Sequence, residues 1–276
     1  MKRFLAIILA GLMLIALVAC GAKEDENVIK VGALEAEGMG EIRTDAHNAH
    51  RIDERNVSND TIFETVVYNN LSSALMDLES GKIANIAIEA STAKYIANRN
   101  EKVEVIEKGV RRTDFAMMTL DSNNEVYDIL NNAIVGMKAD GTLDNLIENE
   151  LKAYIESDPE AKDLPVFDGS KTIKIGVTGD VPPMDYVSAN GKAAGFNIAL
   201  LTEIANRAQV NIELVQIETG ARAMALSSNK VDAVFWTKSA TCTVCNSTAM
   251  EKVNGTLVTE SYFSDYAATI TLASAK

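Results

Sequence analysis

Few side chains in this sequence could do thiol or metal chemistry. Two residues separate Cys242 from Cys245, a spacing that permits a disulfide outside the cell, redox exchange at a helix start, or contact with a metal or a partner. A disulfide closing so small a loop gains little, so we interpret the pair as structural or incidental, with a disulfide possible. His47 and His50, with Asp45, could ligate a metal, but the sequence has no other histidine and a solvated helix face explains them better, so we predict no metal and no cofactor.

Three other side chains could contact a small molecule. Trp236, the only tryptophan, follows a predicted strand, where its ring could stack on a ligand or belong to the core. Asp180 precedes Pro182-Pro183, whose fixed φ angles would hold its carboxylate in place at little entropic cost. A solvated turn aspartate has the same pattern. Tyr186 is open to the same two interpretations.

Composition and charge exclude several classes of protein. The chain has 276 residues, of which 47% are hydrophobic and 24% charged, which is typical of a globular protein. Its net charge of −13 gives no electrostatic basis for binding nucleic acid. The same charge excludes adhesion to an anionic membrane by electrostatics alone.

The N-terminus predicts export and a lipid anchor. A basic start is followed by an unbroken apolar run, Phe4 to Ala19, and then by Cys20 and a charged stretch. The run is shorter than the roughly 20 residues of a membrane-spanning helix, and the pattern is that of a secretory signal. Leu17-Val18-Ala19-Cys20 resembles the bacterial lipobox, which implies cleavage after residue 19, a lipid on Cys20 and a tether over residues 20–27 on the extracytoplasmic side of the membrane. A plain signal peptide or an uncleaved anchor is the alternative.

Beyond the tether, the pattern alternates between strands and helices. Strands are predicted at residues 29–34, 61–67, 83–88, 103–106, 115–120 and 173–176, and helices at 71–80, 92–99, 124–141 and 142–155. Residues 158–170 contain two prolines, a glycine and several charges, and are predicted to be a linker.

The sequence also repeats itself across that linker. Residues 173–176 echo residues 29–32, and the stretch from Met224 to Val234 echoes the stretch from Met76 to Ile86. Two echoes at nearly one offset predict two lobes of similar βαβ build, each with a mostly parallel sheet flanked by helices. Ligands of such sheets lie beyond the carboxyl ends of the strands, so we expect a site in the cleft between the lobes.

Several stretches resemble the bacterial family 3 solute-binding proteins, the receptors of polar amino acid ABC transporters. The matching residues are 173–186, 190–205, 225–236 and 261–266, and more faintly 75–83 and 131–146. The resemblance implies the α/β two-lobe fold of type II periplasmic binding proteins, but with its parts in permuted order. Lobe 2 would be residues 28–110, the closing part of lobe 1 residues 111–157, and its opening part residues 171–276. Two incomplete receptors in tandem are the alternative.

The same resemblance implies a set of ligand-binding residues. They are Met184, Thr237, Ser239, Glu89 and Glu35, beside the Asp180, Tyr186 and Trp236 already named. In the family, an arginine that binds the ligand carboxylate lies a few residues after the position of Ser239. This chain has no arginine beyond Arg222. Lys238 or Arg222 could substitute for it, although lysine cannot reproduce a bidentate grip.

These observations predict a lipid-tethered receptor that delivers a small polar solute, an amino acid or a related amine or acid, to the permease of an ABC importer. We expect no catalytic residue and no enzymatic activity. Two alternatives stay open: an enzyme on the same fold, such as a dehydratase acting on a small acid, and a sensor or assembly module that has lost transport.

Overall fold

The computed structural model describes residues 28–34, 62–157, 161–188, 190–242, 247–249 and 253–274. Its strands are β1 (Val28–Leu34), β2 (Ile62–Tyr68), β3 (Asn85–Glu89), β4 (Val103–Leu120), β5 (Thr172–Val177), β6 (Asp180–Val181), β7 (Asp185–Val187), β8 (Ala193–Ala194), β9 (Asn211–Gln216), β10 (Ala233–Cys242), β11 (Ser247–Ala249), β12 (Thr256–Val258) and β13 (Phe263–Leu272). Its helices are α1 (Leu71–Glu79), α2 (Ala90–Ala97), α3 (Asn124–Asp140), α4 (Thr142–Ile147), α5 (Ala153–Glu156), α6 (Phe196–Ala208) and α7 (Arg222–Ser227).

Short elements complete this set. A π-helical turn, Glu148–Lys152, joins α4 to α5, so the single helix predicted for residues 142–155 is present with one irregular turn. A 3-10 turn, Thr219–Ala221, leads into α7. The part of the predicted linker that is described, residues 161–170, contains no helix or strand. Within the described ranges, no helix has the length and apolar character needed to cross a membrane.

The large sheet has two halves with the same strand order. β1 lies between its parallel neighbours β2 and β3, and β5 lies between its parallel neighbours β9 and β10. We call these the β1 half and the β5 half. In each half a long antiparallel strand follows, β13 beside β3 and β4 beside β10. The predicted α/β class, with two similar and mostly parallel units, is confirmed.

The two long strands run through both halves. Residues 103–107 of β4 pair with residues 268–272 of β13 in the β1 half, and residues 112–115 of β4 pair with residues 263–266 of β13 in the β5 half. The sequence predicted two separate strands here, at 103–106 and 115–120. β4 is continuous because pairing with β13 and β10, rather than an alternating apolar pattern, holds its polar middle in the sheet.

The predicted repeat is present in the structure, where equivalent backbone hydrogen bonds form in the two halves. In each half a helix ends in a tight turn that enters the third strand, and the residues Gly81 and Asn229 in these turns have φ angles of 76° and 55°. The matching backbone bonds are Ser80 N to Met76 O and Ser228 N to Met224 O, each 3.0 Å, and Ala84 N to Lys30 O and Asp232 N to Lys174 O, each 2.8 Å. The two halves are therefore built from the same local unit.

Each half has its own hydrophobic core. In the β1 half, α1 and α2 pack on the sheet around Leu78 and Ile86, neither of which is exposed. In the β5 half, α3 and α6 pack around Ile134, Phe196 and Leu200, which are also fully buried. Burying a side chain of this size contributes about 1.5–3 kcal/mol, so each half has a core that contributes to its own stability.

Candidate functional site

A cavity of about 110 Å³ lies between the two halves. The β1 half and the crossing strand β13 contribute part of its lining: Leu34, Glu89, Thr92 and Asp265. The β5 half and the loops beyond its strands contribute the rest: Phe115, Gly176, Val177, Thr178, Val181, Met184, Asp185, Asn197, Ile217, Thr219, Arg222, Phe235, Trp236, Thr237 and Tyr262. Glu89 and Trp236 thus line one cavity, which lies between the two halves.

Glu89 is the last residue of β3, and its carboxylate enters the cavity from the β1 half. Its Oε1 lies 3.4 Å from Arg111 Nη2 and 3.4 Å from Thr113 Oγ1, both on β4. Arg111 is 4% exposed and its Nε has no hydrogen-bond partner. Burial lowers the pKa of the Arg111 guanidinium, and the Glu89 charge opposes this shift. Both contacts are long, which leaves Glu89 able to pair with a ligand.

Asp265 is a second carboxylate near Glu89: its backbone pairs with Thr113 in the β5 half, but its side chain bonds to α2 of the β1 half. Its Oδ2 accepts a hydrogen bond from Ser91 N in the first turn of α2, at 2.9 Å, and its Oδ1 accepts one from Tyr266 N at 2.7 Å. The residue is buried. Burial raises the pKa of Asp265, and the neighbouring charge of Glu89 raises it further, against the hydrogen bonds from Ser91 and Tyr266. Two carboxylates thus lie close together where the β1 half meets the cavity.

Arg222 brings positive charge to the opposite side. It is the first residue of α7, and its guanidinium carbon lies 5.2 Å from the centre of the Trp236 ring. Nε donates to Thr219 O at 2.8 Å and Nη1 donates to Phe235 O at 3.2 Å. These bonds fix the side chain against the wall, and a bidentate grip on a ligand carboxylate would compete with them.

Aromatic rings and methionine form the rest of the wall. Phe235 and Tyr262 meet edge to face with their centres 5.9 Å apart, and the Tyr262 hydroxyl donates to Asn197 Oδ1 at 3.3 Å. Trp236 is 1% exposed and its Nε1 has no hydrogen-bond partner. The pKa of Tyr262 is raised, chiefly by burial. A surface of this kind packs against apolar or flat parts of a ligand.

Met184 is held in this wall by a backbone arrangement that only glycine fits. Gly195 has a φ of 109°, and a Cβ there would lie 2.5 Å from Met184 O. The next residues, Phe196 and Asn197, donate their backbone N–H groups to Pro183 O and Met184 O at 3.0 and 2.8 Å. The start of α6 therefore sits directly on the loop that carries Met184.

Asp185 is the third carboxylate in the lining, and its oxygens are occupied by protein groups. Oδ1 accepts from Thr178 Oγ1 at 2.7 Å and from Gly179 N at 2.6 Å, while Oδ2 accepts from Asn197 Nδ2 at 3.0 Å. This network ties the turn after β5 to α6. We interpret Asp185 as a positioning residue for the loop around the cavity.

Five of the predicted ligand-binding residues line the cavity and four lie elsewhere. Glu89, Met184, Arg222, Trp236 and Thr237 are in the lining. Asp180 accepts a hydrogen bond from Leu71 N across the cleft. The Tyr186 ring lies 6.2 Å from that of Tyr95. Lys238 Nζ lies 3.8 Å from Glu260 Oε1, and Ser239 Oγ donates to Asp114 Oδ2 at 2.8 Å.

Some predictions fall outside the described residues. These are the ones on Glu35, His47, His50, Cys20 and Cys245. The backbone of Cys242 is described and ends β10. Among the described residues, no group of three or more His, Cys, Asp or Glu side chains is placed to hold a metal ion.

The sequence did not point to Asp265, Arg111 or Thr219. All three are buried, at 8%, 4% and 8% exposure, and Thr219 Oγ1 has no hydrogen-bond partner. Asp265 and Arg111 lie on the two strands that run through both halves, and in the sequence they look like exposed polar positions. The order Arg111-Arg112-Thr113-Asp114 gives one usable signal, because alternation along a strand places residues 111 and 113 on the same face.

Residues 173–250 match the family model of bacterial extracellular solute-binding proteins, family 3. Over these residues, the chain is similar to family 3. This confirms the resemblance read from the sequence, and the matched segment supplies Met184, Arg222, Trp236 and Thr237 of the cavity. No curated protein matches the sequence.

Solved structures offer distant likenesses. The ligand-binding component of an ABC-type import system from Staphylococcus aureus, with zinc bound, is 12% identical with a TM-score of 0.46, over 90% of this chain and 66% of that one. A putative L-cystine ABC transporter from Listeria monocytogenes is 14% identical with a TM-score of 0.42, over 89% and 83%. The GluR0 ligand-binding core in complex with L-glutamate is 9% identical with a TM-score of 0.41, over 92% and 87%.

Proposed function

We propose that this protein is a solute receptor of an ABC importer, which binds a small polar solute in the cavity between the two halves and presents it to a permease. One observation carries the proposal: the cavity is lined from both halves, with Glu89 and Asp265 on one side and Arg222 and Trp236 on the other. Clefts between such units are favoured ligand sites. The family 3 match over residues 173–250 supports binding and delivery rather than catalysis.

Closure of the cleft is the proposed mechanism. β4 and β13 run from one half into the other, and the pairing between β13 and β4 is irregular at Tyr266 to Ala268. A hinge needs only a few backbone positions that can change their dihedral angles, and such an irregularity provides them. A solute that contacts both halves binds the closed arrangement more tightly than the open one and so shifts the population toward it.

The tether and the location are part of the same proposal. The extracellular family of the matched segment and the secretory pattern of residues 1–19 both favour the extracytoplasmic side of the membrane. A lipid on Cys20 would hold the receptor near its permease, since each buried methylene contributes about 0.8 kcal/mol and two or more chains anchor stably.

We also propose that the chain is a permuted form of one receptor. In the sheet, Val31 of β1 and Thr271 of β13 face Asn85 of β3 from its two sides. Because β13 is antiparallel to the other two, its end lies level with the start of β1, about 10 Å away at two strand spacings. A short connection could join them, and a permuted order costs little where two segment ends lie so close.

A ligand screen that measures both stability and turnover tests the receptor proposal. Heat denaturation of the full chain is followed with amino acids, amines, short peptides and polyamines, because a binder raises the melting temperature with its concentration over Kd. Compounds that stabilise the protein are then recovered and analysed. We expect them unchanged. Conversion of a stabilising compound would favour the alternative of an enzyme, and a screen without stabilising compounds would contradict the proposal.

A further inference from the structure

The charges in the cavity do not balance. Among the described residues of the lining, Glu89, Asp185 and Asp265 carry carboxylates, and Arg222 carries the positive charge. Arg111, which lies behind Glu89, offsets part of this at 3.4 Å. Charge enclosed away from water is costly unless it is paired. The enclosed site therefore has an excess of negative charge that a bound molecule would have to offset.

Two of these carboxylates, those of Glu89 and Asp265, are also able to accept from a ligand. Asp185 accepts three hydrogen bonds, whereas each oxygen of Asp265 accepts one from a backbone N–H. Asp265 and Glu89 therefore have more capacity left to accept from a ligand. Glu89 makes two contacts of 3.4 Å, which a stronger donor would displace. The pKa of Asp265 is raised chiefly by burial and to a lesser extent by the Glu89 charge.

The opposite wall favours an apolar body over a carboxylate. Its lining includes the apolar side chains of Phe115, Phe235, Trp236, Tyr262 and Met184. Arg222 already donates to two backbone carbonyls and faces the Trp236 ring. The sequence has no later arginine to take up a second anion.

We infer that the cavity selects an organic amine: a cationic ammonium bound between Glu89 and Asp265, with an apolar body against the aromatic wall, and with no requirement for a carboxylate. The inference rests on the proposed receptor function and names the class of its solute. It differs from recognition of an amino acid, in which ammonium and carboxylate are gripped together.

Three probes that share a 3-methylbutyl group separate these cases. Isothermal titration of the full chain in detergent is carried out with 3-methylbutylamine, leucine and 4-methylpentanoate, in which this group bears an ammonium, both an ammonium and a carboxylate, or a carboxylate. We expect the amine to bind at least tenfold tighter than the acid, and leucine to bind no tighter than the amine. Tighter binding of leucine or of the acid overturns the inference, as does the absence of binding by all three.

Variants locate the ammonium site. Glu89→Gln and Asp265→Asn should each weaken binding of 3-methylbutylamine about tenfold or more and leave that of 4-methylpentanoate unchanged or stronger. Glu213→Gln removes an exposed carboxylate on β9, outside the cavity, and serves as the matched control. Circular dichroism confirms that each variant is folded. Equal weakening of amine and acid would overturn the placement.

Failure of the inference on solute class can be told apart from failure of the receptor proposal. If amino acids stabilise the protein and close the cleft while the amine does not bind, the receptor proposal stands and the inference on solute class fails. If no compound of the broad screen stabilises the protein, both fail.

Discussion

The carboxylate of Asp180 accepts a hydrogen bond from the backbone N–H of Leu71 at 3.2 Å, and this bond joins the two halves across the cleft. Asp180 lies in β6, beside the β5 half, and Leu71 is the first residue of α1 in the β1 half. The first N–H groups of a helix have no partner within the helix, so a carboxylate there is a favourable acceptor. The bond can exist only while the halves are close together.

Removing this acceptor should weaken closure. Asp180→Ala loses a bond of about 1 kcal/mol, and we expect a several-fold increase in the Kd for the solute, mostly through faster dissociation. Asp180→Asn keeps a carbonyl acceptor and should bind close to the wild type. Asp232→Ala, which removes a carboxylate that accepts from Lys174 N at 2.8 Å within the β5 half, is the control. Stopped-flow dissociation rates that are equal for Asp180→Ala and Asp232→Ala would contradict the role given to Asp180.

Intrinsic fluorescence should report occupancy of the cavity directly. Trp236 is the only tryptophan of the chain and lines the cavity beside Arg222. A solute that enters displaces water and changes the surroundings of the indole ring, so we expect a saturable change in emission at the same Kd as calorimetry gives. Trp236→Phe should abolish the signal. Saturable binding without any change in emission would place the solute elsewhere.

Gly195 should be the most sensitive glycine of the cavity region. An alanine there would hold a φ of 109° and place its Cβ 2.5 Å from Met184 O, so we expect a loss of about 2–3 kcal/mol in the free energy of unfolding. Gly191→Ala, at a φ of 79° with no atom within 4 Å of the added Cβ, should lose about 1 kcal/mol. Urea denaturation of both variants tests the difference, and equal losses would mean that the close approach to Met184 is not what requires glycine.

Asp265 should make the stability of the protein depend on pH. Its pKa in the folded protein is raised above 3.8, the value expected for the unfolded chain, so the folded state holds the proton more tightly. The ionised carboxylate therefore weakens folding above the folded pKa, and the penalty disappears as the pH falls toward 3.8. We expect Asp265→Asn, which keeps an acceptor for Ser91 N, to raise the melting temperature at neutral pH and to lose this advantage at acidic pH. A difference between variant and wild type that does not change with pH would contradict this role.

Much of the fold follows from local patterns in the sequence. The echo between residues 76–86 and 224–234 predicted two similar units, because the turn after each helix needs the same backbone bonds and a residue tolerant of positive φ, here Gly81 or Asn229. The α3 helix was predictable from its apolar spacing and from Gly141, which ends it with a φ of 80°. These features depend on interactions between residues close in the chain.

The site was only partly predictable, for a different physical reason. Glu89 ends β3 at the cleft, and such a position can be recognised from a strand pattern. Trp236 was expected to follow its strand, but β10 continues to Cys242, so the ring lines the cavity from within the strand. Asp265 and Arg111 are buried only because β13 and β4 cross between the halves, which no local pattern shows. Asp180 was expected to contact the ligand, but its partner is a helix start that is distant in sequence.

A reordered chain tests the permutation. A variant that starts at residue 171, continues to 274, passes through a short glycine-serine linker to residue 28 and ends at 157 would have the usual order of the family. We expect it to fold and to bind the solute with the Kd of the original chain, since every strand keeps its neighbours. A variant that is folded but unable to bind would show that the present order is needed for the site, and an unfolded one would favour two separate units.

The distance between the two halves, with and without solute, tests the central claim most directly. Met76 and Met224 occupy equivalent positions on α1 and α7 and are 71% and 72% exposed, so spin labels carried by non-natural amino acids fit at both. With a solute from the stability screen, pulsed spin-resonance spectra should show a broad distribution of distances become narrow and shift to one closed value. A solute that stabilises the protein while this distribution stays unchanged would contradict capture by closure between the halves.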